Sequence, residues 1–355
     1  MSAAPPIIDI QPFLIDSSSQ EASNVITNFR DAFTTWGFCQ LVGHNVPPTL
    51  RSALLANAKT FFDLPLEEKL KVHVKNGGVA WRGYMPQGGE GTHGRIDQKE
   101  GIYAGPEHPD DHPQIGLPLH GKNQFPDTTI PEMRGVVLEY IEKVSELGRA
   151  VCDIISMSLG MDKEFVREKF LAPEPVALFR CFKYSLKEAP KEGSNIWGIG
   201  DHSDFGLLTL LIQDSPGLQV LSPQKEWVDV PVIENAFVCN VGDMLDMLTE
   251  GRFISARHRV IPPPFGTTRI SSPLFFDFSW TANMVPFPLD HLTPLTAEEK
   301  AISEERWKTT TFTAVNGQWW QYLAKKVKKV FPTLGLPDFE SNVAPSSRFT
   351  IEVSA

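Results

Sequence analysis

Three side chains in this sequence could close on one small cation: His202, Asp204 and His258. The triplet His202-Ser203-Asp204 stands at the head of an apolar run, Leu207-Leu208-Thr209-Leu210-Leu211-Ile212. Residues i and i+2 of a strand share a face. An imidazole and a carboxylate two apart can therefore grip the same object. His258, in Ala256-Arg257-His258-Arg259-Val260, offers a third ligand. Two neutral imidazoles and one hard carboxylate oxygen make the facial set that suits Fe(II), with positions left open for a co-substrate and dioxygen.

Downstream lies Arg269-Ile270-Ser271, again an i, i+2 pair on one face of an expected strand. A guanidinium binds a carboxylate through two parallel hydrogen bonds, and a hydroxyl adds another donor. Tyr184, at the end of an upstream strand, offers a third donor. This set would anchor an anion beside the metal. Asn240 and Asp243 read as turn or supporting residues rather than ligands, and Asp201 should point to the opposite face from the triad. Phe276 and Phe278 read as core. His44 and His73 sit beside apolar segments and read as structural. A second histidine cluster, His108-Pro109-Asp110 with His112, lies in a proline-rich loop with no strand to align it, and is not read as a metal site. Arg82, Tyr84, Arg95, Lys99 and Tyr103 are candidates for substrate contact.

The elements that must position these residues fall into two stretches. The first, residues 1–125, begins with a short strand at Ile7–Ile10. A helical pattern over Ser17–Phe38 stops at Gly37, a strand follows at Phe38–Val42, and helices open after Pro47-Pro48 and at Leu64-Pro65. From Asn76 to Gln124 glycine and proline are dense, which predicts a long irregular region with one strand near Lys99–Tyr103. The second stretch, residues 126–355, opens with a long helix over Pro131–Gly160 and a short one near Lys163–Phe170. Strands are expected at Ala177–Tyr184, Gly206–Gln213, Leu218–Leu221, Trp227–Val230, Ala236–Val241, Ala256–Val260 and Arg269–Phe276. A closing helix is expected at Thr313–Phe331. Many short strands punctuated by Gly, Pro and Asn predict a barrel or sandwich, flanked by the helices as one integrated unit.

The chain has 355 residues, 41% of them hydrophobic, ample for a large core. The net charge of −10 lacks the basic footprint of a nucleic-acid binder. The Lys325–Lys329 stretch reads as the solvated face of a helix. No apolar run is long enough for a membrane span. The N-terminal residues show no signal-peptide pattern and the C-terminal Glu-Val-Ser-Ala no lipidation or peroxisomal tag. Cys39, Cys152, Cys181 and Cys239 show no Cys-x-x-Cys spacing and read as buried free thiols, so a reducing, cytoplasmic setting is expected. Oligomeric state is not encoded in any of these features.

In order and spacing, the chain resembles the isopenicillin N synthase-like family of Fe(II)/2-oxoglutarate-dependent dioxygenases. The resemblance runs through Trp36-Gly37-Phe38 to His44, Phe61-Phe62-Asp63-Leu64-Pro65, His202-Ser203-Asp204, Gln213-Asp214 and Gly217-Leu218-Gln219-Val220. It continues through Asn240-Val241-Gly242-Asp243, His258-Arg259-Val260 and Arg269-Ile270-Ser271. It implies a mainly β fold with flanking helices around a double-stranded β-helix, or jelly roll. It implies iron on His202, Asp204 and His258, and the distal carboxylate of 2-oxoglutarate on Arg269, Ser271 and Tyr184. Where the family often reads Asn-Tyr-Tyr-Pro, this chain has Phe182-Lys183-Tyr184-Ser185, of which Tyr184 alone matches. The implied reaction couples decarboxylation of 2-oxoglutarate to succinate and CO2 with oxidation of an unactivated C–H bond of a small molecule. Hydroxylation is the leading outcome, desaturation and ring closure are variants, and ascorbate is an optional stimulant. Two rival readings share the scaffold: an Fe(II) oxidase that does not use 2-oxoglutarate, and a non-catalytic small-molecule binder.

Overall fold

The computed structural model describes residues 4–92, 95–189, 196–310 and 315–330. Fourteen strands form among the described residues. In chain order they begin with β1 (Ile7–Asp9), β2 (Phe38–Val42), β3 (Gly83–Met85), β4 (Gly91–Thr92), β5 (Arg95–Ile96), β6 (Lys99–Ala104) and β7 (Pro175–Tyr184). Then come β8 (Ile199–His202), β9 (Leu208–Gln213), β10 (Leu218–Leu221), β11 (Trp227–Asp229), β12 (Phe237–Val241), β13 (His258–Val260) and β14 (Arg269–Ser279). The helices are α1 (Gln11–Ile15), α2 (Gln20–Thr35), α3 (Pro48–Asp63), α4 (Leu66–Leu70), α5 (Met133–Ser158), α6 (Asp243–Leu248), α7 (Ala297–Trp307) and α8 (Trp319–Val330).

The strands assemble into a large sheet ordered β1-β2-β12-β9-β14-β7-β6-β3, a smaller one ordered β11-β10-β13-β8, and the β4–β5 hairpin. Apart from the parallel β1/β2 pair, neighbours in these sheets run antiparallel. The two larger sheets are the jelly-roll core. Strands from before residue 125 (β1, β2, β3 and β6) belong to the same large sheet as β7, β9, β12 and β14.

Strand alternation sorts side chains between the cavity and the helical layer. On β14, Arg269, Ser271, Pro273 and Phe275 line the cavity between the sheets. Phe276 and Phe278 belong to the buried core, as their sequence predicted. Gly148 of α5 sits so close to Phe276 that an added Cβ would lie 2.7 Å from the ring. Glycine there lets the helix axis approach the sheet. The apolar stripe of α5 (Val137, Tyr140, Ile141, Val144, Val151, Ile155) is buried in this way. Each such side chain contributes roughly 1.5–3 kcal/mol relative to an exposed one.

Local signals explain several boundaries. Ser19 caps α2 by accepting from the Ala22 amide at 3.0 Å. Gly37 then takes φ +64°, and a Cβ there would sit 1.9 Å from the Ile254 carbonyl oxygen. Only glycine allows that left-handed turn into β2. The structure also adds elements. The Asn76–Gln124 region is more ordered than its glycine and proline content predicts, with a 3-10 turn at Val74–Ala80 and strands β3, β4 and β5. Helix α6 replaces an expected turn, and α7 carries a Thr296/Glu299 capping box. The short helix expected near Lys163 is a π turn at Arg167–Leu171. Helix α8 starts later than expected, and the two ends of that expected helix fall in 311–314 and 331–355, outside the described residues. All four cysteines are free and buried. Among the described residues, no helix is long and apolar enough to cross a membrane.

Candidate metal centre

The fold brings His202, Asp204 and His258 together, with their candidate ligand atoms all within 4.8 Å of one another. His258 Nε2 lies 3.7 Å and His202 Nε2 3.9 Å from Asp204 Oδ1. The imidazoles face each other across the β8/β13 ladder, where His258 opposes His202. The next registered pair, Val260 with Ile199, shows one extra residue on β8. This bulge lets Ile199 and His202 both face the cavity.

Asp204 does not arrive by strand alternation. Strand β8 ends at His202, and Asp204 sits in the following loop. The start of α6 sets that loop. Amides of Asp243, Met244 and Leu245 donate to the carbonyls of Asp204 (2.7 Å), Phe205 (3.1 Å) and Gly206 (3.4 Å). These are the amides a helix N-terminus leaves unpaired. A Cβ on Gly242 would lie 2.1 Å from the Gly206 oxygen, so the two backbones meet where no larger residue fits.

Hydrogen bonds orient each candidate ligand. His202 Nδ1 bonds the Gly200 carbonyl at 2.8 Å and His258 Nδ1 the Ala256 carbonyl at 3.2 Å. Each Nδ1 therefore carries the proton, and each Nε2 lone pair is free. Asp204 Oδ2 accepts from Thr209 Oγ1 at 2.5 Å and Asn240 Nδ2 at 2.8 Å, which leaves Oδ1 toward the imidazoles. Burial, and then the neighbouring His258, push His202 down to about 3. Burial alone would raise Asp204, but the two imidazoles and the bonds from Asn240 and Thr209 hold it below its ordinary value. A neutral His202 beside an ionised Asp204 has the charge state a cation needs. The donor set fits a ferrous ion.

Arg269 is fully buried. Its Nη2 donates to Gln213 Oε1 at 2.8 Å and its Nε to the Ser215 carbonyl at 3.1 Å. Nη1 is buried with no partner. A charged donor without an acceptor is costly, so an incoming anion would complete it. Ser271 Oγ donates to the Tyr184 hydroxyl at 3.4 Å, and the guanidinium carbon lies 5.0 Å from the Tyr184 ring centre. The triad, Arg269, Ser271 and Tyr184 all line one cavity, whose remaining wall is largely apolar, including Phe38, Leu211, Val238 and Phe275.

Residues 5–128 match the family described as non-haem dioxygenase in morphine synthesis N-terminal, and residues 175–278 match the 2OG-Fe(II) oxygenase superfamily. A Dictyostelium discoideum protein named "Probable iron/ascorbate oxidoreductase" is 35% identical over 350 residues, 93% of this chain and 95% of that protein. The chain belongs to the 2OG-Fe(II) oxygenase superfamily. The Talaromyces stipitatus 2-oxoglutarate-dependent dioxygenase tropC is 38% identical over 72% of this chain and 81% of its own length. Among solved structures, a full-length Neurospora crassa protein in complex with alpha-KG matches with a TM-score of 0.73. It is 24% identical, over 91% of this chain and 95% of that one, and supports the fold. As a superfamily member the chain is a 2-oxoglutarate-dependent dioxygenase, an oxidoreductase whose co-reactants are Fe(II), 2-oxoglutarate and dioxygen. Its substrates are small molecules, oxidised with release of succinate and CO2.

Other sequence expectations resolve as follows. Asn240 supports Asp204 directly, and Asp243 accepts from Ser203 and Ser255 beside it. Asp201 turns away to pair with Arg257 at 2.7 Å. His44 is tied to the Asn235 carbonyl and the Val46 amide, and His73 to the Lys75 amide. Of the proposed substrate contacts, Arg82 binds the carbonyls of Pro106, Leu119 and Gly121, and Tyr84 binds Glu100. Lys99 binds Glu90 and Asp97, while Tyr103 stacks on Arg180. None of these four lines the cavity; the Arg95 side chain lies outside the described residues. Sequence reasoning missed Thr209 and the grip of Gln213 on Arg269. A lone Thr and a terminal Gln in an otherwise apolar strand were the available signal, since buried polar groups need partners.

Proposed function

We propose that His202, Asp204 and His258 hold the ferrous ion. In this reading Arg269, with Ser271 and Tyr184, grips the distal carboxylate of 2-oxoglutarate, and the enzyme hydroxylates an unactivated C–H bond of a small, largely apolar molecule. One observation carries this reading: Arg269 Nη1 is buried and unpartnered in the same cavity as three ligand atoms left free by their hydrogen bonds. When bound, the iron and 2-oxoglutarate together supply the oxidant that attacks the C–H bond. The chain's own residues do the rest. The carbonyls of Gly200 and Ala256 fix which imidazole nitrogen faces the ion. Asn240 and Thr209 keep one carboxylate oxygen occupied, so the other points inward. Gln213 and Ser215 hold the guanidinium plane still. The apolar wall keeps bulk water from a reactive centre.

The strands shared between residues 1–125 and 126–355 support one integrated catalytic unit. The four free, buried thiols favour a cytoplasmic site of action. The testing experiment is a panel of small metabolites with Fe(II), 2-oxoglutarate and ascorbate, scored for succinate and oxidised product together. A metabolite that triggers succinate release and gains one oxygen atom supports hydroxylation. Oxidation of a metabolite that proceeds equally without 2-oxoglutarate would overturn the assignment of Arg269.

A further inference from the structure

A second cluster of cation-binding groups lies far from the cavity. The loop after β6 carries His108 and His112, and Glu174 immediately precedes β7. His108 Nε2 lies 3.3 Å and His112 Nε2 3.2 Å from the same oxygen, Glu174 Oε1. The two rings are tilted at 40° with centres 4.2 Å apart. Despite these distances, Oε1 is buried without a hydrogen-bond partner, and so is His108 Nδ1. Two imidazole nitrogens thus converge on one carboxylate oxygen at angles too poor for a well-formed hydrogen bond. All three ligand atoms lie within 4.8 Å of one another, as ligands around a shared ion do. With zinc bonds of about 2.0–2.1 Å, the edge of a ligand tetrahedron is about 3.3 Å, close to both separations.

We infer that His108, His112 and Glu174 form a second divalent-cation site, suited to Zn2+, that staples the loop after β6 to the start of β7. Two imidazoles and a carboxylate suit a borderline transition ion and disfavour Ca2+ or Mg2+. The three side chains keep 10%, 21% and 31% of their surface exposed, in the order His108, His112, Glu174. A cation can therefore reach the site, and the fourth position is left to water. Asp110, which the sequence places beside these histidines, is not a ligand: it pairs with Lys122 at 2.7 Å. His120 stands behind His108, ring centres 5.8 Å apart, and donates from Nδ1 to the Pro118 carbonyl at 2.9 Å. Burial pushes it down to about 4, so it stays neutral and adds no repulsion.

One contact opposes loading. His112 Nδ1 accepts from the Gln114 amide at 3.2 Å, so metal at Nε2 requires the proton to move to Nδ1 and that long bond to break. The site's role is structural. Ser279 opposes Pro175 and Arg269 opposes Tyr184 on the β7/β14 ladder. Glu174 and the anion-binding end are thus separated by the length of β7, roughly 30 Å at about 3.3 Å per residue.

The test counts bound metal and needs no turnover. Chelator-stripped protein is dialysed against buffered Zn2+, and zinc per chain is measured by atomic absorption. The wild type should bind one zinc more than His108→Ala/His112→Ala, and one more than Glu174→Gln. That difference holds whatever the His202 centre does, so it is separable from the dioxygenase reading. Equal zinc in wild type and folded variants would overturn the site. A measurement on the wild-type chain covers variants that misfold. Zn2+ should slow diethyl pyrocarbonate modification of His108 and His112 at least fivefold, read by peptide mass, and an unchanged rate at both would sink the inference.

Discussion

Replacing Arg269 with methionine removes a buried guanidinium while nearly keeping its volume. Its free Nη1 is the donor available to the co-substrate, because Nη2 and Nε are already held by Gln213 and Ser215. A hydrogen bond to a charged group contributes about 1.5–3 kcal/mol. At about 1.36 kcal/mol per tenfold, Arg269→Met should raise the KM for 2-oxoglutarate by roughly 10- to 150-fold. Ser271→Ala removes a neutral hydroxyl worth about 0.5–1.5 kcal/mol, so its KM should rise only about 2- to 13-fold. Arg269→Lys keeps the charge but loses the planar fork and should fall between the two. Arg269→Met also strands the Gln213 and Ser215 acceptors, so its melting temperature must be recorded beside its kinetics. The assay is succinate production against 2-oxoglutarate concentration at saturating Fe(II), with calorimetric titration of 2-oxoglutarate as an independent check. If all three variants kept a wild-type KM while folded, or if Ser271→Ala were the worst of them, the anion-clamp reasoning would be refuted.

Two further outcomes follow from the same geometry. Thr209→Val deletes the 2.5 Å bond to Asp204 Oδ2 and should weaken Fe(II) binding about 10- to 100-fold, seen as a higher Fe(II) requirement with little change in melting temperature; an unchanged requirement would argue that Asn240 alone orients the carboxylate. Burial raises Asp277 to about 7, and its Oδ2 has no partner. Because its folded value lies above its unfolded one, its ionisation costs the fold progressively as pH rises from about 4 to 7, and fully above that. Asp277→Asn keeps an acceptor for the Leu207 amide. It should leave stability nearly unchanged at pH 4 and raise it by up to about 4 kcal/mol at pH 8, measured by urea denaturation at both values.

Much of this molecule was written locally. That His202, Asp204, His258, Arg269, Ser271 and Tyr184 gather at one cavity was legible, because a polar group in an apolar strand must have a partner. Strand β2 followed from a compact apolar run after Gly37, strand β10 from a short segment between turn residues, and helix α5 from helical periodicity between Pro131 and Gly160. Local patterns failed where burial is uniform or order comes from afar. Helix α6 is buried on all sides, Asp243 and Asp246 included, so it shows no amphipathic period. Helix α7 is a different case: Thr296 and Glu299 spell a capping signature from which the sequence alone could have supplied it.

Only the folded chain decided how Asp204 reaches the centre. Spacing suggested two residues on one strand face, whereas the carboxylate is delivered by a loop pinned to the first turn of α6. The sequence likewise set His108 and His112 aside because no strand aligns their proline-rich loop, and the fold brings Glu174 to them from a distant part of the chain. The reason is the same in both cases. Residue type and short-range period determine what a side chain can bind, but a shared point in space is set by packing between segments, which no window of sequence contains.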